Sequence, residues 1–76
     1  MQKTISSDKY LSLLSWLKDA RMKNNLSMRD LAIKLDTPHS FIGKIETAER
    51  RLDIYEYVIY CEALGLDPKK GLDIIK

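Results

Sequence analysis

Seventy-six residues, 45% of them apolar and 32% charged, are expected to make one small domain around a single core, with no room for a separate catalytic module. The lone Cys61 cannot form an internal disulfide, and one Cys with one His cannot supply four zinc ligands. The chain is therefore expected to be cytoplasmic, held by helix packing, and to use neither metal nor cofactor. No apolar run approaches a bilayer span, Met1–Ser6 lacks a signal-peptide core, and a net charge of +2 is too small by itself to name a partner.

Ser6 or Ser7 can cap a first helix. Tyr10, Leu13, Leu14, Leu17, Ala20 and Arg21 then recur at three- and four-residue intervals along one face, to about Lys23. Asn24-Asn25 ends it, because Asn tolerates left-handed backbone. Ser27 caps a second helix with Asp30 in capping-box register, and Leu31, Ala32 and Leu35 form the buried stripe. Asp36-Thr37-Pro38 is a turn, since Pro38 excludes helix at Thr37 and suits the first turn of a new one. A third helix runs from Pro38 or His39 to Thr47, with Phe41, Ile42 and Ile45 inward and His39, Ser40, Gly43 and Lys44 outward. After a polar connection, Asp53 caps a fourth helix, whose expected inner stripe is Ile54, Tyr57, Val58, Cys61 and Leu64, with Gly65 as its stop. Asp67-Pro68 opens a fifth, with Leu72 and Ile75 expected to face the core. No strand-like alternation intervenes, so the fold class is all-α, a compact five-helix bundle.

The second and third helices have helix-turn-helix spacing over about residues 28–47. Counting Met28 as the first position, Ala32 is fifth, where two steeply crossing helices must approach closely. Leu31, Leu35, Ile42 and Ile45 wedge the pair against the rest of the bundle. The ninth, Asp36, falls where a left-handed backbone is often needed, and Asp is an acceptable substitute for Gly there. Such a pair lays its second helix in the major groove of double-stranded DNA. The residues presented to base edges are then His39 and Ser40, with Gly43 and Lys44 one turn later. Phosphate contacts are expected from Ser27, Met28 and Arg29 at the start of the second helix, from Thr37 in the turn, and from Arg50 and Arg51 after the third helix.

Ala20-Arg21, Leu26-Ser27, Leu31-Ala32, the run Ser40-Phe41-Ile42-Gly43-Lys44-Ile45-Glu46 and Ala63-Leu64-Gly65 together resemble the phage repressor and Cro type (Xre-like) family of bacterial DNA-binding domains. The resemblance covers about residues 9–67. Glu49-Arg50-Arg51-Leu52-Asp53 is similar to the linker of a subgroup of small bacterial regulators. It implies a lambda repressor-like fold, and a partly buried salt bridge between Arg21 and Glu46. Burial of Glu46 beside Ile45 would be costly for a lone carboxylate, which points to the same pairing. Two positions depart from the family. Met28 stands where Gln is usual and cannot donate a hydrogen bond, and Ala48 stands where Gly is favoured in a left-handed cap, so that turn is expected to be altered.

Residues 1–26 carry five cations and two anions, residues 27–51 five and four, and residues 52–76 three and five. A basic front and an acidic rear suit a protein with one face toward phosphate. One helix-turn-helix spans about four or five base pairs, so a two-fold homodimer on a palindrome is expected. Tyr55, Ile59, Tyr60, Leu66 and Ile74 fall off the core stripes and are the dimer candidates. The leading expectation is a sequence-specific transcriptional regulator acting as a dimeric repressor. The alternatives are an antitoxin that also binds a protein toxin, and a restriction–modification controller. No nucleophile–base pair, metal spacing or phosphate loop suggests an enzyme.

Overall fold

The computed structural model describes residues 7–76, so the reading of Met1–Ser6, including Ser6 as an alternative cap, lies outside the described residues. Five helices follow in order: α1 (Asp8–Lys23), α2 (Met28–Leu35), α3 (His39–Glu46), α4 (Ile54–Ala63) and α5 (Pro68–Ile75). Among the described residues there is no strand, and no helix is long and apolar enough to cross a membrane.

The helix starts follow from local chemistry. Ser7 accepts from the Tyr10 N–H, and Asp67 accepts from the Lys69 N–H just ahead of Pro68 at the first turn of α5. Ser27 with Asp30, and Asp53 with Glu56, form reciprocal capping boxes in which two otherwise orphaned N–H donors are satisfied at once. Helices α1 to α4 all end in one way. A left-handed residue (Asn25, Asp36, Ala48 or Gly65) turns the chain, and two backbone bonds close the last turn. After α3, the Ala48 N–H donates to Ile45 and the Glu49 N–H to Lys44. The expected alteration at Ala48 therefore does not occur: alanine takes the left-handed cap at φ 64°. Its Cβ makes this conformation cost about 1 kcal/mol relative to glycine. Ala48→Gly is expected to stabilise the fold by up to that amount, visible as a higher denaturant midpoint at unchanged m-value.

The core gathers Leu13, Leu14, Leu17 and Ala20 from α1, Leu31 and Ala32 from α2, Ile42 and Ile45 from α3, and Tyr57, Tyr60, Cys61 and Leu64 from α4. Ala32 is buried on α2, which packs against α3, and a larger side chain there would crowd the core. Two expected stripes need correction. On α4 the buried face is Tyr57, Tyr60, Cys61 and Leu64, a regular i, i+3, i+4, i+7 set. Ile54, in its first turn, is 71% exposed at the edge of the core, whereas Tyr60 is only 1% exposed and cannot serve as a dimer contact. On α5, Leu72 and Ile75 are exposed, and Gly71 is the buried residue. A Cβ on Gly71 would collide with the Tyr57 hydroxyl and the Trp16 ring, so α5 touches the bundle with backbone. That contact turns Ile74 toward the core and leaves Leu72 and Ile75 on the flanks.

Candidate nucleic-acid interface

Helix α3 is held by what lies on either side of it. Its inner residues Ile42 and Ile45 are fully buried, and its last residue, Glu46, is anchored to α1. The Arg21 Nε donates to Glu46 Oε2 at 2.6 Å, Nη2 donates to Oε1 at 3.2 Å, and Nη1 donates to the Leu26 carbonyl at 2.8 Å. The two side chains retain 10% and 4% of their exposure. One buried guanidinium thus ties the end of α3 to α1 and to the loop that precedes α2.

With its inner face fixed, α3 presents His39, Ser40 and Lys44 to solvent, while Gly43 is half-buried beside Met28. Pro38 is the N-cap and offers no side-chain bond, so the first N–H groups of α3 are not closed off by a cap. At the start of α2, Ser27, Met28 and Arg29 are all exposed. The capping box engages the Ser27 N–H, and its hydroxyl oxygen accepts from Asp30, which leaves the hydroxyl proton free to donate. Bonds from the Ser27 backbone and hydroxyl hold the Asp30 carboxyl below its ordinary range.

Two expected phosphate ligands are placed differently. The Thr37 hydroxyl oxygen is enclosed without a hydrogen-bond partner, and its N–H donates to Ala32, so neither group is offered outward. Arg50 is not a free arm. Its Nη1 and Nη2 donate to the two carboxylate oxygens of Glu56, each at 2.9 Å, and the guanidinium lies 4.7 Å from the centre of the Phe41 ring. This clasp joins the linker to α3 on one side and to the α4 capping box on the other. Arg51 and Arg29 remain exposed. Sequence spacing gave no sign of the clasp, because it depends on Phe41 and Glu56 meeting in three dimensions.

The bond from Arg50, reinforced by the Asp53 backbone, lowers the Glu56 pKa. A carboxylate with a depressed folded pKa stabilises above its unfolded pKa, and this contribution disappears as pH falls through the folded value. Asp30 acts in the same sense. Stability is expected to fall on acidification below the ordinary carboxylate range, and Glu56→Gln should flatten that part of the profile in denaturant titrations at stepped pH.

Five helices with α2 packed on α3 across a tight turn, a buried alanine on α2 and a solvent-facing face on α3 define a helix-turn-helix protein. The helix-turn-helix family model matches residues 17–70, most of the chain. A solved XRE-family like protein from Pseudomonas syringae pv. tomato str. DC3000 is 39% identical, with 88% of this chain and 82% of that one covered and a TM-score of 0.81. No curated protein matches. The chain belongs to the XRE-type helix-turn-helix family and, at that level, is a DNA-binding regulator.

Proposed function

We propose that the protein is a sequence-specific regulator that reads double-stranded DNA through α3, acting as a dimeric repressor on a palindromic operator. The observation that carries this reading is the outward face of α3. His39, Ser40 and Lys44 stand exposed together on a helix whose opposite face is buried. In the major groove, Lys44 is suited to guanine O6 and N7, and His39 to guanine N7 or a phosphate. Ser27, Arg29 and Arg51, with the backbone N–H groups at Met28 and Arg29, supply the phosphate contacts in this reading.

A two-fold pair needs a shared surface. Of the expected contacts, Tyr55 is 70% exposed, while Ile59, Leu66 and Ile74 are half-buried. Ile54 adjoins Tyr55 and is equally open. Two apolar clefts flank this first turn of α4, one lined by Tyr10, Leu52 and Leu72, the other by Leu35, Phe41 and Ile59. The Ile54–Tyr55 turn is therefore the centre of the proposed dimer surface.

Selection of duplexes from a random pool, followed by binding titrations across salt concentrations, tests the reading. Lys44→Ala is expected to erode sequence preference. Arg51→Ala should weaken all sequences alike and reduce the slope of log affinity against log salt by about 1. Equal loss of preference from both changes would reverse the assignment of roles. Selected sites without two-fold symmetry would remove the dimer.

A further inference from the structure

Gly43 lies inside α3, with the ordinary backbone of that helix, and its conformation does not require glycine. Packing does not require it either. A Cβ built there meets only the Met28 sulfur, at 3.8 Å, an ordinary contact. Glycine within a helix is less stable than alanine. The fold therefore gains nothing internal from the missing side chain. What the missing side chain does create is a shallow notch between His39 and Ser40 on one turn and Lys44 on the next. Met28 forms one wall of that notch. It is the first residue of α2, is 38% exposed, and its thioether carries no hydrogen-bond donor.

On the reading that α3 enters the major groove, this notch faces base edges and offers them an apolar surface beside polar neighbours. The apolar feature that DNA displays there is the C5-methyl group of a pyrimidine. We propose that Met28 and Gly43 together form a subsite for that methyl group, making them specificity-determining residues beside the polar contacts of His39, Ser40 and Lys44. Gly43 lets the helix backbone approach, and the Met28 side chain covers the methyl and removes it from water. The methyl belongs to thymine or to a methylated cytosine, and the two sources are separable by experiment.

The test starts from duplexes selected by the wild-type chain and scans them with single dT→dU and dC→5-methyl-dC replacements at one fixed salt concentration. One replacement per half-site is expected to change affinity by about three- to ten-fold, the others little. A loss in the dU arm assigns thymine, and a gain in the 5-methyl-dC arm assigns methylated cytosine. Gly43→Ala is expected to fill the notch. It should raise Tm by about 4–8 °C, the response of a small domain to the gain in helix propensity, while abolishing the methyl dependence. Met28→Gln should abolish that dependence while binding itself persists. A wild-type chain indifferent to every methyl replacement overturns the proposal, as does a methyl effect that survives both substitutions. Failure of every duplex to bind at low salt is a different result, and overturns the specific-regulator reading on which the proposal rests.

Discussion

Glu46→Ala is expected to cost about 3–5 kcal/mol, a large share of the stability of so small a domain. A domain of this size commands roughly 5–10 kcal/mol in total. The size of the effect comes from what remains rather than from what is removed. Arg21 is buried together with its charge. Without Glu46 it would keep the Leu26 carbonyl as an acceptor but lose the anion that offsets its desolvation. Replacing both partners by apolar residues, Arg21→Met with Glu46→Leu, should recover most of the loss, because no unpaired charge is then left inside. Urea unfolding of Arg21→Met, Glu46→Leu and the double variant measures this as a coupling energy. If Glu46→Ala lost less than about 1 kcal/mol, the pair would be behaving as a solvated surface bridge.

The pair also bears on DNA reading. It holds the last residue of α3 against α1, and the Arg50 clasp bears on Phe41 in the same helix. Two guanidinium groups thus fix the helix that carries the proposed base contacts, one buried and one at the surface. They differ in energetic weight. Arg21 and Glu46 are nearly enclosed, whereas the Arg50 side chain remains 42% exposed and is screened by solvent. Orientation of α3 therefore depends mainly on the buried pair.

What the sequence made legible is what a few neighbouring residues decide. Ser27 with Asp30, Asp53 before Ile54, and Asp67-Pro68 signal helix starts because capping is a bond over two or three residues. Asn25 and Asp36 signal stops because their short polar side chains lower the penalty of left-handed backbone, and Gly65 because it has no Cβ to incur one, while Ala48 carries no such mark. The outward face of α3 was readable from helical periodicity alone, since Ile42 and Ile45 leave His39, Ser40 and Lys44 on the other side. The rotation of α4 was harder. Its residues are apolar nearly all round, so Ile54 and Tyr60 could be exchanged without spoiling the pattern, and only packing against the other helices separates them. The same holds for the site. Which cations reach outward depends on whether a partner such as Glu56 is brought within reach by the fold.

Gly71→Ala is expected to destabilise, although the same replacement at Gly43 is expected to stabilise. Helix propensity favours alanine by up to about 1 kcal/mol at either position. The difference lies in the space beside each Cα. At Gly43 a methyl finds an ordinary contact with Met28, whereas at Gly71 it falls inside the contact distance of the Tyr57 hydroxyl and of the Trp16 ring, with Leu13 at 3.1 Å. Tyr57 is buried and donates to the Pro68 carbonyl, so it cannot swing aside without giving up that bond. Trp16 reaches from α1 to the face of α5 at Gly71, and the remaining relief is for α5 to lift from α1. Overpacking of this kind costs about 1–3 kcal/mol, and a broken buried bond adds to it, so packing outweighs propensity. A lower Tm for Gly71→Ala beside a higher one for Gly43→Ala is the expected pattern. Because α5 packs on α1 and α4 and carries none of the proposed base contacts, DNA affinity per folded molecule should be unchanged at Gly71 and changed at Gly43. If both glycines gave higher Tm on replacement, the tight seating of α5 on Trp16 and Tyr57 would be wrong.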